Sequence, residues 1–119
     1  MTWRDTFASL STEDKIAAAI LCAWPTTDSL PWRRWAVGWL TGERAYNMNA
    51  AIGSGGAAYR ASQAGNFSGH MWPNFYSLRT IETCIDWHHI DPDPILDDIP
   101  AGDLQRYIDR AEQELAHAP

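Results

Sequence analysis

A chain of 119 residues is the length of one domain and can bury about two-thirds of the surface that its unfolded form exposes. Nine lysines and arginines against fifteen aspartates and glutamates leave a net charge of −6, which argues against direct binding of nucleic acid, because neutralising phosphates requires a basic stripe. The longest apolar runs, such as Ile16 to Trp24, fall short of the roughly 20 residues of a membrane span, and no basic segment precedes an apolar one as in a secretory leader. The expectation is one all-α domain over residues 1–119, a compact bundle of five or six helices. Seven tryptophans predict a large aromatic core.

The first strong start signal is Ser11 followed by Thr12-Glu13-Asp14, an N-cap with acidic residues in the first turn, where the helix dipole favours them. Ile16, Ala17, Ile20 and Leu21 follow at helical spacing, and Pro25 stops the helix at Trp24. Residues 3 to 9 read as a short leading turn around Trp3 and Phe7. Asp28-Ser29-Leu30-Pro31 opens a second helix, in which Trp32, Trp35, Ala36, Trp39 and Leu40 form the clearest stripe of the chain; Arg33 and Arg34 face away from it into solvent or toward the acidic half. Gly42 ends or bends that helix.

The segment from Glu43 to Ala64 is rich in small residues, and each interior glycine costs about 1 kcal/mol relative to alanine, so a break is expected at Gly53 to Gly56. Gly65 to Gly69 reads as a loop. Trp72-Pro73 starts the next helix, with Phe75, Leu78, Ile81, Ile85 and His88 as its buried stripe. Asp91-Pro92-Asp93-Pro94 reads as a stiff extended connector, followed by a short turn over Ile95 to Ile99. Pro100 to Asp103 begins the last helix, whose apolar face is Leu104, Tyr107, Ile108, Ala111 and Leu115.

Charge is unevenly distributed. Residues 1–60 carry six basic and five acidic side chains, a net of +1, whereas residues 61–119 carry three basic and ten acidic ones, a net of −7. Such asymmetry points to a surface addressed to a basic partner. The residues expected to form it are Asp86, Asp91, Asp93, Asp97, Asp98, Asp103 and Asp109, joined by Glu112 and Glu114, with Trp72, Phe75, Tyr76 and Trp87 as aromatic anchors beside them. Such a surface can mimic the charge of a nucleic-acid backbone. The bland alternative is that the carboxylates only keep an aromatic-rich protein soluble.

Other chemistry is thinly represented. Cys84 and His88 stand four apart and could share a metal ion with His89, Asp91 or Asp93, although His70 and His117 are isolated and the core reading of Cys84 is favoured. Cys22 and Cys84 are read as two buried free thiols, with one bridge between them as the alternative; free thiols fit a reducing cytoplasm, that of a bacterium or of a phage-infected cell. Gly53-Ser54-Gly55-Gly56 lacks the Lys and Ser/Thr of a phosphate-binding loop, and Ser54 and Ser68 lack the glycine pattern of a nucleophile elbow. The carboxylates of residues 91–98 with His88 and His89 have the group types for acid–base work but sit on a segment expected at the surface. No motif calls for a cofactor.

The stretch Trp35-Ala36-Val37-Gly38-Trp39-Leu40-Thr41-Gly42-Glu43, with Ala50-Ala51 and Ala57-Ala58-Tyr59-Arg60-Ala61, resembles the alanine-rich immunity proteins of bacterial toxin systems over about a quarter of the chain. It departs from them at Gly53 to Gly56 and in having no long alanine repeat. The resemblance implies a helical protein that neutralises a partner by binding, without catalytic residues. In size and acidity the chain is also similar to anti-CRISPR proteins of phages. The expected function is therefore a non-catalytic inhibitor or immunity-type protein, encoded by a phage or mobile element, that blocks a basic or nucleic-acid-binding protein complex as a monomer or homodimer. The competing readings are a metal-dependent enzyme or sensor centred on Cys84 and His88, and a structural protein that oligomerises through exposed tryptophans.

Overall fold

The computed structural model describes residues 2–43, 56–66 and 72–118; the break expected at Gly53 to Gly56, apart from Gly56 itself, residues 67–69 of the expected Gly65 to Gly69 loop, and Ser54, Ser68 and His70 lie outside them. The described residues form seven α-helices and no strand: α1 (Trp3–Ser9), α2 (Thr12–Ala23), α3 (Leu30–Leu40), α4 (Gly56–Asn66), α5 (Pro73–His88), α6 (Asp93–Asp98) and α7 (Leu104–Ala116), with a 3₁₀ turn at Trp24–Thr26 between α2 and α3. The all-α architecture is the expected one. Two of the helices, α1 and α6, occupy segments whose sequence suggests only turns.

The leading turn is a helix because Thr2 and Asp5 close a capping box: the Asp5 amide donates to Thr2 Oγ1 and the Thr2 amide donates to Asp5 Oδ2. In α2, Ser11 is the N-cap, accepting from the Asp14 amide at 3.1 Å. Every residue from Ile16 to Trp24 is buried, not one stripe alone. A helix apolar on all sides belongs in the centre of a fold, and α2 is there, packed against α4, α5 and α6. Its alanines, Ala17 to Ala19 and Ala23, allow that crowding.

The tryptophan stripe of α3 is buried in full. Two of its indoles also fix how α4 lies against α3. Trp32 Nε1 donates to the Ala58 carbonyl at 2.7 Å and Trp39 Nε1 to the Gly65 carbonyl at 3.3 Å. Both donors and both acceptors are seven residues apart, about 10 Å of helix, so α3 and α4 run alongside each other in the same direction. The Gly65 carbonyl lies in the last turn of α4, where helix geometry leaves carbonyls without an internal donor. Gly42 ends α3 as expected, at φ +106°.

Four local expectations are corrected. Gly65 belongs to α4, not to a loop, because a Cβ there would stand 2.5 Å from Trp35 Cζ2 and 3.2 Å from Trp39 Cδ1; only a glycine lets the helix backbone meet the indoles. The buried side of α5 consists of Pro73, Ser77, Thr80, Ile81 and Cys84, while Phe75 and His88 are exposed and Leu78 and Ile85 half-buried. Small side chains face inward there because α5 packs closely on α2 and α4. The Asp91–Pro94 connector is not extended throughout: Pro92 is αR, and Asp93 and Pro94 form the first turn of α6, where proline is tolerated. Arg33 is not free in solvent: its guanidinium lies 4.7 Å from the Trp24 ring centroid, and its Nε donates to the Thr27 carbonyl at 3.1 Å, clamping the 3₁₀ turn. Arg34 is exposed as expected.

Candidate functional site

The charge asymmetry becomes sharper when divided at the end of α5. Residues 1–90 carry seven basic and seven acidic side chains, whereas residues 91–119 carry two arginines against eight carboxylates. The entire net charge of −6 therefore belongs to the segment that forms α6 and α7.

Seven of its eight carboxylates fall into two groups, and the eighth, Glu112, is exposed on α7. Asp98 is half-buried and engaged: Arg106 donates to its Oδ2 at 2.9 Å and the Tyr107 hydroxyl donates to the same oxygen. Asp103 lies 3.9 Å from the same Arg106, Asp109 accepts from Gln105 Nε2 at 2.9 Å, and Glu114 accepts from the Trp24 indole N–H. Partial burial and the Asp98 charge hold the Tyr107 hydroxyl above its ordinary ionisation range. Asp91, Asp93 and Asp97, by contrast, are exposed, and none of them is in an ion pair among the described residues. Asp91 Oδ1 accepts the Asp93 amide at 3.0 Å, which caps the start of α6 locally and leaves the charge open to solvent. Asp86, near the end of α5, is likewise exposed and unpaired among the described residues. Glu82, the other carboxylate of α5, binds Arg4 at 2.8 Å and Arg79 at 3.5 Å, tying α1 to α5.

The expected aromatic anchors do not form one set. Trp72 and Trp87 stand at opposite ends of α5, fifteen residues or about 22 Å apart along its axis. Trp72, Phe75 and Tyr76 stack edge to face at the start of α5, with centroids 5.9 and 5.6 Å apart. Trp87, beside Asp86, is 79% exposed, the most open of the large apolar side chains described. The candidate surface thus consists of Asp86, Trp87, Asp91, Asp93 and Asp97, running from the end of α5 to α6. Trp72 and Tyr76 lie elsewhere, and Asp98, Asp103 and Asp109 are partly satisfied internally.

The metal reading finds no geometry to support it. Cys84 has no exposed surface, whereas His88 and His89 point to solvent, and among the described residues no group of three or more His, Cys, Asp or Glu side chains could hold an ion. Burial pushes the Cys84 thiol up to about 12 and raises the Cys22 thiol as well, which favours the neutral thiol over the thiolate that a nucleophilic reaction requires. Both cysteines are free and buried, as expected. His89 has the left-handed backbone that closes α5, at φ +54°.

A feature with no clear sequence signal lies between α2, α6 and α7. Leu21, Trp24, Pro25, Ile95 and Ala111, with Tyr107, Arg110 and Glu114, line an open groove of about 220 Å³. That is below the roughly 300–1,000 Å³ of small-molecule sites, so it suits one side chain better than a cofactor. The pairing of Trp24 with Glu114, ninety residues apart, builds one wall and could not be read from local pattern. Among the described residues, no helix is long and apolar enough to cross a membrane. Comparison with family models, with curated proteins and with solved structures finds no match for this chain.

Proposed function

We propose that this chain is a non-catalytic binding protein, of the inhibitor or immunity type, that blocks a basic or nucleic-acid-binding protein through the acidic surface from the end of α5 to α6. The observation that carries the reading is the concentration of the whole net charge in residues 91–119, with Asp91, Asp93 and Asp97 exposed and outside any ion pair among the described residues. Unpaired carboxylates raise association rates with a cationic partner and give the interaction a steep salt dependence. Trp87 adds a large apolar contact beside them, and tryptophan over a lysine or arginine also gains a cation–π attraction of about 0.5–1 kcal/mol at an exposed site. Kinship of type with alanine-rich immunity proteins and with anti-CRISPR proteins belongs to the same proposal, as does a bacterial cytoplasm as its place of action.

The test is affinity capture from a bacterial lysate at low and high salt with the parent chain and with an Asp91→Lys, Asp93→Lys, Asp97→Lys variant. A basic or nucleic-acid-binding protein should be held by the parent, released by salt and lost with the variant. Capture unaffected by the three reversals would refute the reading.

Homo-oligomerisation is favoured by a separate observation, the exposed Trp72 and Phe75 stacked at the start of α5. Light scattering over a range of concentrations decides it, since Trp72→Ser and Phe75→Ser together should dissociate any such oligomer.

A further inference from the structure

We infer that the groove between α2, α6 and α7 is a docking site for one uncharged apolar side chain of the partner, flanked on the partner by lysine or arginine; the inference rests on the acidic-surface reading and assigns it a specific anchor. The groove wall is apolar where Leu21, Trp24, Ile95 and Ala111 meet, and its own charges are balanced, with Arg110 and Glu114 one turn apart on α7. A balanced apolar groove selects an uncharged side chain. The uncompensated charge lies across α6 from it: Ile95 sits between Asp93 and Asp97 on the short α6, so these carboxylates project from the side of the helix away from the groove. A chain crossing α6 with its apolar residue in the groove places basic neighbours within reach of them. Such a layout pairs an apolar anchor with charged contacts one helix width away, and both kinds of contact recur in strong interfaces. The same charge disfavours a second copy of this chain as the occupant, because its own α6 and α7 would bring like charges together.

Two capped pentapeptides test this, one with leucine between two pairs of lysines and one with serine in the central position. Binding is followed through the indole N–H resonance of Trp24, which is directed at Glu114 in the groove wall. The leucine peptide should bind about tenfold tighter than the serine peptide, the gain expected from burying one aliphatic side chain, and should shift that resonance. Ala111→Met, which fills the groove, and Ile95→Ser, which removes one wall, should each abolish the leucine advantage while circular dichroism stays unchanged. Equal affinities for the two peptides, both weakened by salt, would overturn the groove and leave the acidic surface standing. No binding of either peptide at low salt would overturn both. Leucine binding indifferent to salt would overturn the basic flank, and groove resonances that shift with protein concentration alone would make a second copy the occupant and refute the assignment.

Discussion

The two parts of the molecule on either side of residue 90 solve opposite problems. In the first, α2 to α5 bury alanines, small polar groups and the tryptophans of α3, and basic and acidic side chains balance. In the second, α6 with its C-cap Ile99 and α7 bury only Leu96, Ile99, Ile108 and Ala111 among their aliphatic residues, and the segment from residue 91 onward carries all the net charge. Stability is concentrated in the first and the unspent electrostatic potential in the second, so a substitution that damages one should spare the other. The tryptophans make the contrast within one residue type: Trp32 has no exposed surface, whereas Trp87 is 79% exposed.

The largest expected effect tests that contrast. Trp32→Ala should lose about 4 kcal/mol of unfolding free energy, from the burial of a large indole and the loss of its bond to Ala58, whereas Trp87→Ala should change stability by less than about 0.5 kcal/mol. Denaturant melts of the two variants check this, and comparable losses would erase the distinction between the regions. Gly65→Ala should come next, at about 2 kcal/mol, because the added Cβ meets Trp35 at 2.5 Å and the buried indole cannot swing away. A Gly65→Ala protein as stable as the parent would mean that α4 is not seated on α3 through its backbone.

A smaller effect concerns pH. Both thiols have folded pKa values raised above the ordinary 9.0, so their neutral forms are favoured in the native state. Their stabilising effect is complete below pH 9 and declines as the pH rises from there toward about 12, because the unfolded chain then releases protons that the folded chain retains. Tyr107, shifted in the same direction, adds to the decline on the alkaline side. Unfolding free energy should fall by on the order of 1 kcal/mol per thiol between pH 7 and pH 10, and Cys22→Ala should lessen the slope. A flat profile over that range would show that the thiols are not held in the dry neutral part.

Much of the first part was legible because its signals are local. Ser11, Pro25, Ser29 with Pro31, and the Trp32 to Leu40 stripe each announce a boundary or a buried face within a few residues. Gly65 was misread because helix propensity treats glycine as a breaker, while the contact that requires it comes from Trp35 of α3, thirty residues away. The α5 face was misread for a related reason. Apolar spacing selects Phe75 and Leu78, but close packing on the alanines of α2 and α4 admits Ser77, Thr80 and Cys84 instead. In the second part, the sequence reports that carboxylates exceed arginines, but not which of them Arg106 engages. Only the fold separates Asp98 from Asp91, Asp93 and Asp97 and places Trp72 and Trp87 at opposite ends of α5.

The most direct measurement combines both halves of the comparison in one variant, Asp91→Asn, Asp93→Asn, Asp97→Asn, with unfolding free energy and partner capture read on the same preparation. Relief of like-charge crowding should leave stability unchanged or raised by up to about 0.5 kcal/mol, while the salt-sensitive partner is lost. A variant that unfolds more easily yet still captures its partner would contradict the division of the molecule into a neutral scaffold and an acidic working surface.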